Sequence, residues 1–364
     1  MIINQVVAGS GGGGTPQGIY RAYTIDGTGD LAPSTTADYS QIDLSNLTHL
    51  SWGYCFFKAF SGNTTITSVD LSNFNCTDYG VSERAFQVAF QNCTSITSVD
   101  LSSLVTTYSN QYLFCAAFDG CTNLTTINLN SLHDVSGNYA FSSAFANTGV
   151  VSVSLPNFEY ATNNYSFSNA FKNCSALVSV HMPKYTTAGT SHVLFGTFMG
   201  TALPTMKFES LTGVSGDTAL GEIFKNCTSL QSVWFYALTT TSFGSKTNQF
   251  NDMLSGVTGC TVHFPMAIQS TIGSWSSVTG GFGGTNTTVS FDLVTSLTGA
   301  DSNTYTRSEK DSTSTATAWS YNDTLYYTSG VSDNTNGVNE PSVGDTIYSD
   351  DACTTAVTTI SAIA

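Results

Sequence analysis

Side chains suited to catalysis are few in this chain of 364 residues. It has five histidines, none of them in an HExxH string, and it has no GxSxG or P-loop motif. Its nine cysteines include no CxxC pair, so neither a zinc site nor a redox pair is indicated. Paired carboxylates can cleave glycans, which keeps a polysaccharide depolymerase open as an alternative. Because the acids follow one regular spacing rather than forming an isolated pair, we expect no catalytic residues and a protein that is not an enzyme.

That spacing comes from an internal repeat. The string at 89–101, AFQNCTSITSVDL, returns at 117–129 as AFDGCTNLTTINL, and degenerate copies occur along the chain. The last apolar residue of successive copies lies 26 to 30 residues after the previous one, from Leu44 to Phe264. A period of about 27 falls in the range of leucine-rich repeats.

Each unit combines two periodicities. Alternating residues such as Val99 and Leu101 predict a short strand with one buried face, and pairs such as Phe86 and Phe90, four apart, predict one or two helical turns. Stacked units would share one core with a phenylalanine spine. The predicted fold is therefore a leucine-rich-repeat-like solenoid of short parallel strands and short helical turns, with a small C-terminal all-β module. At the Asn-Cys-Thr corner, we expect each Cys to pack as a small buried residue rather than form a disulfide.

Outward strand residues should stack into two columns. The first column is uniformly Ser or Thr, whereas the second varies strongly in chemistry. Its C-terminal part and the residue beyond one strand predict a ligand patch of an exposed Trp with basic and aromatic neighbours: His181, Lys207, Trp234, Tyr236 and His263. The alternative is a solvated or partner-covered strand face. No cofactor is expected; a Ca²⁺ at Asp43, Asp70 and Asp100 is the weaker alternative to simple solvation of these acids.

The recurring string, with Asn-Cys-Thr followed by Ser-Val-x-Leu, resembles the BspA-like leucine-rich repeats. This resemblance implies an extracellular adhesion or binding module and supplies no catalytic residues. The start, MIINQVVAG at 1–9, looks like the opening of bacteriophage tail-associated proteins. The segment PSVGDTIYSD at 341–350 is similar to a small β module of phage-encoded proteins. Both short resemblances imply a virion protein, which would also explain a start that lacks a secretory signal.

Four regions follow from the pattern: a Gly-rich arm over 1–41, the solenoid with its cap over 42–292, a polar linker over 293–317 and the β module over 318–364. Serine and threonine total 102 residues, and the net charge is −15. A nucleic-acid partner is excluded because no basic footprint exists, and no apolar run long enough to span a membrane is present.

The expected function is that of a non-catalytic virion component, located on the virion or another extracellular surface. Its partners would be other virion proteins, through the arm, and a host-surface protein or glycan; the oligomeric state is left open. A bacterial or protist surface adhesin with the same repeats is the runner-up.

Overall fold

The computed structural model describes residues 23–25, 31–33, 44, 56–74, 84–106, 111–239, 242–243, 248–272, 281–293, 296–307, 317–322, 324–328, 345–349, 353 and 355–363. Strands β1 (Tyr23–Ile25) and β2 (Leu31–Pro33) form an antiparallel pair within the predicted arm. The remainder of that arm lies outside the described residues.

The solenoid prediction is confirmed by parallel strands that repeat about every 27 residues. Its principal strands form three parallel groups. The first is β3 (Ser68–Asp70), β4 (Ser98–Asp100) and β5 (Thr126–Asn128), and the second is β7 (Ser152–Ser154) and β9 (Ser179–His181). The third is β10 (Thr205–Phe208), β11 (Ser232–Phe235), β12 (Thr261–Pro265) and β13 (Thr288–Leu293), with a register shift between His263 and Pro265 of β12. Strands β6 (Asp134–Val135) and β8 (Tyr160–Ala161) form a separate parallel pair. Each coil therefore adds one short strand, or rung, that is parallel to those of its neighbours.

The predicted helical turns are instead a ladder of tight turns. The Ala59 N–H donates to the Phe56 carbonyl of its own coil (3.0 Å), whereas the Phe60 N–H donates to the Ala89 carbonyl of the next coil (2.8 Å). Every fourth residue of the ladder has a left-handed backbone conformation, as at Val88 (φ 50°). The i, i+4 aromatic spacing thus reflects a four-residue turn, which repeats at nearly the same interval as an α-helix.

Helix is confined, in the part of the chain that the structure describes, to the 3₁₀ turn Met266–Ile268 and α1 (Gln269–Ile272). Neither is long enough to cross a membrane, and no other described helix exists that could do so.

A phenylalanine spine fills the solenoid, as predicted. Phe86 stacks on Phe114 with ring centroids 5.0 Å apart, and Phe90 stacks on Phe118 at 5.2 Å. Such rings are completely buried, and they belong to one hydrophobic cluster that extends from Leu44 to Phe282. Aromatic pairs contribute about 0.5–1.5 kcal/mol beyond the area they bury, so a continuous stack holds neighbouring coils together.

The corner cysteines pack as predicted. The Cys93 thiol donates to the Phe60 carbonyl of the preceding coil (3.0 Å), and the Cys227 thiol donates to the Phe198 carbonyl (2.9 Å). All seven described cysteines are free, and five are buried. Burial raises the pKa of Cys93 to about 11 and that of Cys121 to about 12, so these thiols stay protonated at neutral pH.

The C-terminal module is a closed antiparallel barrel. Its strands are β14 (Ser296–Gly299), β15 (Thr304–Arg307), β16 (Thr317–Tyr321), β17 (Thr324–Thr328), β18 (Thr346–Tyr348) and β19 (Ala356–Ile363). Strands β14 and β15 come from the segment predicted as a linker. There a single buried residue, Leu297 or Tyr305, alternates with threonine or serine, so the polar composition concealed a half-buried strand. Trp319 lies in the barrel core and donates to Thr328 Oγ1 (3.0 Å).

Candidate functional site

The second outward column predicted from the repeat is present on the principal strands. Lys207, Trp234 and His263 are in-register partners on β10, β11 and β12. At the other end, Asp70, Asp100 and Asn128 are in register on β3, β4 and β5, so one column runs from acidic to basic and aromatic chemistry.

The acidic end of the column caps turns. Asp70 Oδ1 accepts the Ser72 N–H (2.9 Å), and Asp100 Oδ1 accepts the Ser102 N–H (2.9 Å). An Asp that bonds the backbone two residues ahead stabilises the turn after its strand. Asp43, the third proposed cation ligand, lies outside the described residues. Within the described residues no group of three or more His, Cys, Asp and Glu side chains is arranged to hold a metal ion.

The expectation of an exposed Trp in the ligand patch is wrong. Trp234 is only 6% exposed, and its ring stacks on His263 with centroids 3.5 Å apart and planes 1° apart. Its Nε1 donates to Ser232 Oγ (3.0 Å), which is itself buried. The reason is the strand spacing of about 4.8 Å, at which flat in-register side chains lie face to face.

The other predicted patch residues lie near Trp234 with their side chains partly open to solvent. Lys207, Tyr236 and His263 are half-buried, and the Tyr236 ring lies 6.1 Å from Trp234. His181 is exposed on β9, which contacts β10. The structure therefore brings the five predicted residues to consecutive coils of the solenoid, and their role in binding stays a prediction.

Two exposed valines directly before β7 and β9 were not predicted from the sequence as surface residues. Val151 and Val178 are 47% and 48% exposed and lie on neighbouring coils, where the Val178 N–H donates to the Val151 carbonyl (3.0 Å). Each directly precedes a principal strand. The signal was available in the repeat, because earlier coils have threonine at this register, at Thr67, Thr97 and Thr125.

A second aromatic column lies on the turn ladder. Arg84 lies over the Tyr112 ring at 4.1 Å, and the rings of Tyr112, Tyr139, Tyr165 and His192 continue the stack at 4.9, 4.8 and 4.6 Å. The rings cover one another's faces and present their edges. We therefore assign the column to coil stacking, as for the phenylalanine spine.

The repeat strings can now be assigned to a family. The BspA type leucine rich repeat region matches in six copies, over residues 57–169, 87–212 and 142–253. Together these matches span 57–253, more than half of the chain. The chain belongs to this BspA-type family. Its repeats fit a binding or adhesin role; they do not show a phage origin and do not by themselves exclude catalysis.

A comparison with solved structures finds a distant similarity for this BspA-type chain. It matches "The Crystal structure of Pneumococcal vaccine antigen PcpA" at 10% identity, over 64% of this chain and 78% of that chain, with a TM-score of 0.18. A likeness this weak supports no argument about function. No curated protein matches the chain.

Proposed function

We propose that the protein is a non-catalytic binding protein, displayed outside cells, that contacts a host-surface protein or glycan through its strand face. The strand face is the outward surface of β7, β9 and β10–β12 together with the exposed residues that directly precede β7 and β9. The observation that carries the proposal is the exposed pair Val151 and Val178, which directly precede β7 and β9, with the exposed His181 at the end of β9. The solenoid core needs neither valine, since earlier coils build the same rung with threonine. Adjacent exposed apolar side chains that folding does not require are candidates for an interaction surface.

In this proposal Trp234 is a positioning residue. Its ring holds the imidazole of His263 flat, at 3.5 Å, and its Nε1 bond to Ser232 fixes the ring itself. Lys207 and His263, which flank Trp234 on the neighbouring rungs, would contact the ligand. A ligand surface supported by packed neighbours loses less side-chain entropy on binding.

We further propose that this binding protein is part of a bacteriophage particle, with the arm over 1–41 attached to other virion proteins. It is motivated by the short phage-like strings at the two ends of the chain. The alternative of a bacterial or protist adhesin shares the strand face and differs in location. Proteomics of purified particles separates the two, because absence of the protein from virions contradicts the virion proposal.

The strand face is tested by a variant that restores the residues of the earlier coils, Val151→Thr/Val178→Thr. We expect adhesion of the purified chain to host cells, measured by flow cytometry, to fall by about tenfold or more, as for central interface residues. Thr67→Ala, at the same register on an earlier coil, is the matched control and should leave adhesion unchanged. Equal adhesion of the double variant and the parent, at equal melting temperature, would refute this use of the face.

Catalysis is tested separately by incubating the chain with capsular polysaccharide. Intact polysaccharide after prolonged incubation supports a binding protein. Release of oligosaccharides would contradict it and favour a depolymerase.

A further inference from the structure

The corner after each principal strand has a regular composition that two coils break. After the buried residue that turns the chain, later coils have Thr186 and Thr187 or Thr212 and Gly213. At the same register, the coils of β6 and β8 carry His133 with Asp134 and Glu159 with Tyr160. Ionisable and aromatic side chains therefore replace small neutral ones on two adjacent coils.

These side chains form one exposed cluster. His133 Nε2 lies 3.3 Å from Glu159 Oε2, and the two side chains are 51% and 29% exposed. The Tyr160 ring, in a residue that is 38% exposed, lies 5.8 Å from the His133 ring. Interaction with the neighbouring Glu159 carboxylate raises the pKa of Tyr160.

Two further polar side chains lie two residues before this register, on the coil of Glu159 and on the next coil. Lys184 Nζ donates to Asn157 Oδ1 (3.1 Å), and Asn157 Nδ2 donates to the Asn130 carbonyl of the preceding coil (2.8 Å). Both Lys184 and Asn157 are exposed. We call His133, Asn157, Glu159, Tyr160 and Lys184 the corner patch.

Folding gives no reason for these residue types. The coils are held at this corner by the buried side chains of Leu132, Phe158 and Tyr185. Each of these directly precedes the corner position in the sequence of its coil. Even an exposed ion pair contributes only about 0–1 kcal/mol, so the exposed contact between His133 and Glu159 adds little to stability. The next coil makes the same turn with two threonines, so the ionisable and aromatic side chains are additions to a fold that does not need them.

We propose that the corner patch is a carbohydrate-binding site, which goes beyond the strand-face function as a second contact surface. Its chemistry matches a pyranose. The tyrosine ring offers an apolar platform for the C–H face of a sugar, and the carboxylate accepts hydrogen bonds from hydroxyls. The imidazole, amide and ammonium groups donate hydrogen bonds to sugar oxygens. With Asp134 on the adjacent coil, the patch has two carboxylates and one ammonium group and so does not favour a polyanion.

The experiment uses the full chain and free methyl glycosides of galactose, mannose, N-acetylglucosamine and N-acetylneuraminic acid. Saturation-transfer NMR should show transfer to the ring C–H protons of at least one glycoside. The variant His133→Thr/Glu159→Thr/Tyr160→Thr copies the neighbouring coil, and we expect it to reduce that transfer by about tenfold at unchanged melting temperature. Transfer to none of the four glycosides, or full transfer in the triple variant, would overturn the proposal.

Further variants separate the site from folding and from the strand face. Tyr160→Thr alone removes an exposed platform and should lower transfer even if the triple variant folds poorly. Tyr160→Phe keeps the platform and should retain most of it. Thr212→Ala, at the same register one coil further from the patch, is the control. Val151→Thr/Val178→Thr should lose cell adhesion but keep glycoside transfer, so failure of one site is distinguishable from failure of the other.

Discussion

The corners of several coils contain an asparagine–glycine contact whose energetic effect can be measured. Asn226 is left-handed (φ 61°), and its side-chain oxygen lies over Gly256 of the next coil, which is also left-handed (φ 80°). A Cβ added at Gly256 would overlap Asn226 Oδ1 and lie 3.3 Å from Asn226 Cγ. Gly259, three residues on in the same coil, has φ 74° and nothing within 4 Å of an added Cβ. The chain thus offers two glycines that differ in one contact.

Gly256→Ala and Gly259→Ala should therefore destabilise to different extents. Both variants place an alanine in the left-handed region, which costs about 1–2 kcal/mol. Only Gly256→Ala also forces the Asn226 amide aside, an overpacking effect of about 1–3 kcal/mol. We expect urea unfolding, followed by circular dichroism, to give Gly256→Ala a free energy of unfolding about 1–3 kcal/mol lower than that of Gly259→Ala.

A third variant tests the assigned partner. Asn226→Gly keeps a residue suited to φ 61° and removes the overlapping oxygen, so in the Gly256→Ala background it should recover most of the difference. Two results would refute this reasoning: equal destabilisation by Gly256→Ala and Gly259→Ala, or no recovery on adding Asn226→Gly. Either would show that the Asn226 side chain moves aside at little cost and that its contact with Gly256 does not determine the distance between the coils.

Three further predictions concern the core, the corner thiols and the acidic column. Phe118→Ala should lower the free energy of unfolding by about 3–5 kcal/mol in urea titrations, because it opens a cavity between two stacked rings; a loss under about 1 kcal/mol would contradict the spine. The pKa values of Cys93 (about 11) and Cys121 (about 12) lie above the ordinary value of 9.0. Their contribution to stability should therefore be complete below pH 9 and be lost as the pH rises through 11 to 12. Iodoacetamide labelling of the native chain at pH 8 should be far slower than after unfolding, and equal rates would contradict burial. Asp100→Ala should cost about 0.5–1.5 kcal/mol by removing its bond to the Ser102 N–H, and EDTA should leave the melting temperature of the parent unchanged; a drop on chelation would favour a cation at these acids.

Much of the fold could be predicted because a solenoid repeats its buried positions. The alternation at Val99 and Leu101 predicts a strand with one buried face, and both residues are buried. Adjacent coils must place such residues alike to stack, so the period alone implies in-register parallel strands.

The turn ladder was missed because its repeat nearly equals that of a helix. Phe86 and Phe90 share one face in either structure, and only the backbone distinguishes them. In the ladder the Phe86 N–H donates to the Leu113 carbonyl of the next coil (2.9 Å), a bond between residues 27 apart in sequence. Local periodicity carries no information about such a partner. The left-handed Val88 also runs against the preference of a β-branched residue, so propensity could not identify the turn.

The exposure of Trp234 could not be predicted because it depends on its neighbours in space. Alternation correctly places Trp234 and His263 outward on paired strands, yet their stacking at 3.5 Å leaves the indole with 6% of its surface exposed. The reverse holds for Val151 and Val178. Their apolar side chains suggest burial, whereas their position before the strand leaves them open. Exposure at these rungs is set by the packing of adjacent coils, which the order of residues along one coil does not reveal.

The division between buried and exposed positions explains why binding chemistry can vary along this solenoid. Each coil contacts chiefly its neighbours, so an exposed side chain can change without altering the spine. Trp234 differs from such positions, because its ring is packed between rungs and its loss would disturb His263. Substitutions in the corner patch should therefore affect only their own ligand, whereas Trp234→Ala should weaken strand-face adhesion and also lower stability. If corner-patch variants instead reduced adhesion at the strand face, the two surfaces would have to contact one continuous ligand.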